Sequence, residues 1–261
     1  MKRIILFRFH KNPIACENRL KLLKKLNPSI KIFGYFEEEK KYKKFKQRLN
    51  PYLEDVFFIN GKSSNWFWKN SDIAVRMWYK YFGRKLNFDM LHLVEWDLLF
   101  LDSLENLYKR IPKNGIGLTA LILLSKVEKR WSWTAEEPHK TEWEKLLALV
   151  KKEFNYTEVN YASLGPGVCL PKKFLEKFIN IKVPELSNDE LRLPLFGRIL
   201  GFELYDTGFY RRWFDKKEKQ FFHCGSSQEI YLSTIKKELA KPSGRRAFHP
   251  FRKVFNLKLL D

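Results

Sequence analysis

Cysteine is scarce in this chain. Cys16, Cys169 and Cys224 are the only three in 261 residues, none in a CxxC pair, and any pairing leaves one over. That excludes a disulfide framework and argues against a cysteine-rich zinc cluster, and it predicts a reducing compartment. Long apolar runs are also missing. The longest run after the N-terminal stretch, within residues 118–124, is broken by Thr119, far below the roughly 20 residues that span a bilayer. The opening MKRIILFRFH carries the charge of a secretory leader, but Arg8 ends its apolar stretch well before the roughly 7–15 residues a leader needs. The expectation is a cytoplasmic protein that at most touches the inner face of a membrane. No repeat, low-complexity tract or linker interrupts the chain, so we read one domain over 1–261, with halves at 1–104 and 105–261.

Acidic residues are in deficit: 30 Asp+Glu face 50 Lys+Arg, a formal charge of +20. Such a balance favours anionic partners, whether nucleic acid, anionic lipid headgroups or phosphorylated small molecules, although a lysine-rich genome would give the same count. No zinc knuckle, RNP-like run or helix-turn-helix pattern is present, so nucleic acid is not the expected partner. A basic nucleic-acid-binding protein remains an alternative, which steep salt dependence in a mobility assay would reveal.

What is present is a core. Hydrophobic residues make up 44% and aromatic residues 16% of the chain, which excludes disorder. Residues 3–9 read as a strand, 14–26 as an amphipathic helix begun by Pro13 and stopped by Asn27-Pro28, and 30–35 as a second strand. This βαβ unit predicts a parallel sheet. Further strands are expected at 56–60, 90–94, 115–124 and 201–209. Helices are expected at 37–48, 72–82, 104–110, 142–154, 172–178 and 191–200, with a last one opening at Ser226-Ser227 and running to Leu239. Residues 63–68 and 126–139 read as loops, and Gly165-Pro166-Gly167 as a turn that lets backbone approach a partner closely.

The sequence around residues 90–97, MLHLVEWD, organises the rest. Its apolar part suits a strand buried on both faces, with His92 as a structural residue. It ends abruptly in Glu95-Trp96-Asp97. Ligands of open α/β sheets bind at the carboxyl ends of strands, and two carboxylates there need a cation or hydrogen bonds. A hard divalent ion shared with a diphosphate would satisfy them; pairing with nearby lysines would as well. Arg8, His10 and Lys11 leave the first strand at a place where a nucleobase or phosphate would meet them. Asp72 and Arg76 share a helical face, as donor contacts or as an exposed ion pair. Ser187-Asn188-Asp189-Glu190 fits a capping box, which would occupy Glu190 and leave Asp189 free. His249 lies among Arg245, Arg246, Arg252 and Lys253, cations able to grip phosphate, and His223 follows an aromatic run.

In this order the motifs resemble nucleotide-sugar-dependent glycosyltransferases of the GT-A fold: a βαβ half, a strand ending in a short acidic DxD-type motif, an acidic pair at a later helix start and a histidine near the C-terminus. The first acidic position departs from that pattern, being Glu95. The resemblance implies a GT-A-like (Rossmann-like) three-layer α/β/α fold with a mostly parallel central sheet. It implies transfer of a sugar from a nucleotide-diphosphate donor to a glycan or lipid-linked acceptor, with inversion. Mn²⁺ or Mg²⁺ would be held by Asp97 with His249 or His223. The donor would meet Arg8, His10, Lys11, Asp72, Arg76, Glu95 and Trp96, and Asp189 or Glu190 would act as base, Asp189 being preferred. Trp131 and Trp133 would stack an acceptor sugar or simply cover the core. A lipid-linked acceptor would be met on an anionic membrane surface. A nucleotidyltransferase on a similar sheet is the alternative, disfavoured because residues 8–13 contain no glycine.

Overall fold

The computed structural model describes residues 1–225 and 228–260. Strand β1 (Arg3–Arg8) leads into helix α1 (Pro13–Leu26). Asn12 caps that helix, its side chain accepting from the Ala15 amide, and Pro13 takes the first turn, where its missing N–H costs nothing. β2 (Lys31–Phe36), α2 (Glu39–Leu49) and the short β3 (Val56–Phe58) complete the first half of the sheet. Two helices, α3 (Ser64–Lys69) and α4 (Ser71–Tyr81), precede β4 (Met90–Glu95). β5 (Leu99–Phe100), α5 (Leu104–Leu107), β6 (Ile116–Leu123), α6 (Ser132–Ala135), α7 (His139–Phe154) and β7 (Tyr161–Pro171) follow. The chain ends with α8 (Lys172–Phe178), α9 (Asp189–Ile199), β8 (Leu204–Asp206), α10 (Leu232–Leu239) and β9 (Ala247–Phe248).

Seven strands form one sheet in the order β3-β2-β1-β4-β7-β6-β8. β1 pairs in parallel with β2 and β4, β2 with β3, and β6 with β8, whereas β7 runs antiparallel to both neighbours, β4 and β6. Six strands therefore share one direction, and the mixed α/β sheet is mostly parallel. Alternation along β1 shows why it must be central: Ile4 and Leu6 enter one core, Ile5 and Phe7 the other. The first core takes Trp78 from α4, Leu146 from α7, Phe174 from α8 and Phe196 from α9. The second takes Leu20 from α1 and Phe45 from α2. Helices thus cover both faces, giving the three layers expected.

Differences from the sequence reading are local. Residues 64–69 form a helix because Ser63 caps it, its hydroxyl accepting from the Trp66 amide. Ser132–Ala135 adds a short helix where a loop was expected. The strand expected at 201–209 shrinks to Leu204–Asp206, since β6 offers it only three partners. Gly165-Pro166-Gly167 lies inside β7, where Gly167 has a φ of 84° that disfavours any side chain. The last helix begins at Leu232; Ser226 and Ser227, expected at its start, lie outside the described residues.

The C-terminal segment returns across the molecule. β9 pairs antiparallel with β5, and the Phe251 amide donates to the Asp97 carbonyl at 2.7 Å. Buried Arg19 donates to the carbonyls of Phe251 and Lys253, and Asn18 to that of Phe255. This strap carries His249 and Arg252 to the end of β4. Among the described residues no helix is long and apolar enough to cross a membrane.

Candidate active site

A cleft of about 700 Å³ opens at the carboxyl ends of β1 and β4. The register of those strands places Arg8 opposite Glu95, and Arg8 Nη1 donates to Glu95 Oε1 at 2.9 Å. The Trp96 amide then donates to the Arg8 carbonyl, and the Leu98 amide to that of Glu95. This tight turn throws Asp97 back beside Glu95. His249 arrives on the strap with Nε2 3.7 Å from Glu95 Oε2 and 3.5 Å from Asp97 Oδ1. Arg252 Nε lies 3.4 Å from Asp97 Oδ2.

Glu95, Asp97 and His249 bring three donor atoms within 4.8 Å of one another. His249 Nδ1–H donates to the His223 carbonyl at 2.6 Å. That bond fixes the ring and turns Nε2 toward the two carboxylates, the arrangement by which metal-binding histidines are oriented. Two carboxylates with one imidazole form an oxygen-rich set suited to Mn²⁺ or Mg²⁺. The residues present therefore fit a divalent ion.

The electrostatics agree with a site built around positive charge. Burial alone would raise both carboxyls, but Arg8 and His249 outweigh it at Glu95, and His249 and Arg252 do so at Asp97; both pKa values fall below the ordinary range. Burial works against a charged His249, yet Asp97 and Glu95 raise it to about 10. His10 stands edge-on to Trp96 at 5.7 Å, its pKa lowered by burial and by Arg8. Arg8, His10, Lys11 and Trp96 all line the cleft.

The second acidic pair sits at the start of α9. Ser187 has a φ of 59°, and the capping box does not form: the Ser187 hydroxyl has no partner, and Glu190 does not turn back to the helix start. Instead Glu190 Oε1 accepts from the Gly165 amide at 2.9 Å, and Oε2 from Asn188 at 3.2 Å. Pro194 inside α9 has no N–H for the Glu190 carbonyl, and the Ser163 hydroxyl donates to it at 3.1 Å. Glu190 is thereby held at the cleft wall with its pKa raised by burial to about 7, although the Gly165 and Asn188 bonds oppose the rise. Asp189 also lines the cleft but accepts from the Ser71 hydroxyl; burial, then Asp72 and Glu190, push its pKa well up. Both carboxyls are therefore occupied, Glu190 by Gly165 and Asn188 in place of the helix start, and Asp189, expected to be free, by Ser71.

Three other expected positions move away from the cleft. Asp72 is fully buried against Arg192, which donates to both its oxygens at 2.9 and 2.6 Å. Arg76 donates to the carbonyls of Phe178, Ile179 and Ile181, capping the end of α8 and not facing a donor. His223 contributes its backbone carbonyl and not its ring, whose Nδ1 accepts from the Gly225 amide. Of the cations near His249, Arg245 pairs with buried Glu218 at 2.6 Å and Arg246 donates to the carbonyls of Glu238 and Lys241. Only Arg252 of that group reaches the cleft. His92 is structural as read, accepting from Arg3 at 2.9 Å inside the sheet.

Trp68 and Cys224 also line the cleft and were not singled out. Cys224 hydrogen-bonds Glu190; its place beside His223 was the signal. Trp68 lies in the polar–aromatic stretch that the sequence shows as a loop.

No known protein family matches the sequence, and no curated protein matches it. Among solved structures, the chain is similar to the galactosyltransferase LgtC in complex with donor and acceptor sugar analogues, with 14% identity, 79% of this chain and 74% of that one covered, and a TM-score of 0.45. An active-site mutant of LgtC aligns over 69% of this chain and 60% of that one, with 14% identity and a TM-score of 0.39.

Proposed function

We propose that this chain is a metal-dependent glycosyltransferase that moves a sugar from a nucleoside-diphosphate donor to a glycan or lipid-linked acceptor. One observation carries the reading: Glu95 and Asp97, at the carboxyl end of a central strand, are joined by the sequence-distant His249 in a cleft also lined by Arg8, Lys11 and Arg252. That combination matches a leaving group bearing two phosphates. A Mn²⁺ or Mg²⁺ ion held by Asp97, His249 and Glu95 would supply Lewis-acid stabilisation of the departing diphosphate. Arg8, while holding Glu95, and Arg252, beside Asp97, place fixed positive charge where negative charge grows. Lys11 and His10 border the same end and would meet the nucleotide.

Glu190 serves as general base. It lies in the same cleft, its two oxygens oriented by Gly165 and Asn188, and its pKa of about 7 suits proton removal from an acceptor hydroxyl near neutrality. Asp189, accepting from the Ser71 hydroxyl, ties the start of α9 to the start of α4. A base on the acceptor predicts inversion at the anomeric carbon; a product with retained configuration in a proton NMR time course would exclude this role for Glu190. Because the base must be ionised, kcat/KM is expected to rise about tenfold per pH unit below 7 and to level off above it. Glu190→Gln should lower activity and remove that limb. An unchanged profile in the variant would rule Glu190 out.

The direct test is a thermal-shift panel of nucleoside diphosphates and nucleotide sugars with and without Mn²⁺. A ligand bound only by the native state raises its apparent stability. At least one nucleotide should raise Tm in Mn²⁺ and not in EDTA. No shift with any nucleotide would end the assignment.

A further inference from the structure

The cleft is chemically divided. The end at β1 and β4 is ionic, as described. Trp68, Ser64, Asn65, Ser132, Trp133 and His139 also line the cleft, and the Ser64 hydroxyl donates to the Glu37 carboxylate at 3.0 Å. Trp68 is the one exposed tryptophan among the described residues, at 57%. Its ring lies 5.2 Å from that of Trp133, which packs 4.3 Å from His139. Trp131 and Trp133 are themselves buried, so the free indole surface among these residues belongs to Trp68.

Trp68 is also firmly mounted. Ser63 caps the start of α3, and Trp66 Nε1 donates to Glu185 at 2.7 Å. On the other side, Arg192 Nη2 donates to the Lys69 carbonyl at 2.9 Å, and Lys69 pairs with Glu142. Arg192 lies on α9, so its bond to the Lys69 carbonyl ties the end of α3 to that helix. A flat apolar face, held rigid and edged by hydroxyl and amide groups, fits a ring with an apolar face and a polar rim. A pyranose has that form. A phosphate would find no lysine or arginine among these six residues, and an alkyl chain would offer Asn65 and Ser132 no hydrogen bond.

We propose that Trp68 is the acceptor platform, stacking an uncharged pyranose of a glycan. The assignment rests on the transferase reading for its role in transfer, but the sugar-binding surface itself is independently measurable. The experiment compares the wild type with Trp68→Phe and Trp68→Ala by isothermal titration calorimetry. The probes are methyl β-galactoside, lactose, cellobiose and, as the lipid-like alternative, dodecyl phosphate. At least one glycoside should give a saturable heat of binding, with affinity about tenfold weaker in Trp68→Ala and nearly retained in Trp68→Phe. Equal affinity in Trp68→Ala, response to dodecyl phosphate alone, or no response to any glycoside would overturn the proposal. The Mn²⁺-dependent nucleotide shift is measured on the same three proteins and should be unaffected by either substitution. A nucleotide shift without Trp68-dependent sugar binding keeps the transferase and rejects the platform. Sugar binding without a nucleotide shift does the reverse.

Discussion

Asp97→Ala should lose nearly all transfer and donor hydrolysis while keeping its fold. The side chain stands on the turn after β4, facing His249 and Arg252 and not the apolar core. Its removal takes away the carboxylate between the histidine and the arginine, and with it a donor for the ion. Lewis-acid stabilisation of a phosphoryl oxygen is worth several kcal/mol, so a loss of about 10³-fold in kcat/KM is expected. The Mn²⁺-dependent nucleotide shift should vanish in the same variant, with circular dichroism unchanged. Full activity in Asp97→Ala, or in wild type with EDTA, would remove the ion from the mechanism. Asp97→Asn separates geometry from charge: it preserves the shape of the turn and should still fail.

Arg192→Met should produce the largest loss of stability. Arg192 and Asp72 are both wholly buried, and the guanidinium also donates to the carbonyls of Lys69, Leu186 and Ser187 and to the Asn70 side chain. Removing one partner of such a pair leaves the other charge without compensation, at a cost of about 3–5 kcal/mol. For a chain of this size each kcal/mol moves Tm by about 2–4 °C, so a fall on the order of 10 °C is expected by scanning calorimetry. Replacing both partners with apolar residues of similar volume, as in Asp72→Leu with Arg192→Met, should recover part of the loss. If Arg192→Met melts within a degree or two of wild type, the ion pair does not hold α4 to α9.

This pair also shows where sequence reading stops. Asp72 and Arg76, four apart on one helix, looked like a local pair or a ligand-facing face. The partner of Asp72 is 120 positions away, and no periodicity announces a contact of that separation. The same holds for the strap. His249 was read as a metal ligand because cations surround it in sequence, yet Arg245 and Arg246 serve Glu218 and backbone carbonyls. What the structure places beside Asp97 is the His249 ring, with Arg252 the one cation of that group nearby. What was legible came from strong local rules: the βαβ start, the doubly buried strand at Met90–Glu95 and the acidic turn that ends it. The capping box misled because Ser187 adopts a left-handed conformation, which local pattern matching does not foresee.

The strap has a consequence for how the protein is made. Asp97 and Arg252 are 155 positions apart, and closing so long a loop is entropically slow compared with forming β1, β2 and β4. During synthesis the parallel sheet therefore has most of its chain before the ribosome releases β9. Until then Glu95 and Asp97 have Arg8 and His10 nearby, and the cluster of Glu95, Asp97 and His249 is incomplete. A message cut short before Ala247 would yield a polypeptide with much of its architecture but with neither His249 nor Arg252 at the end of β4.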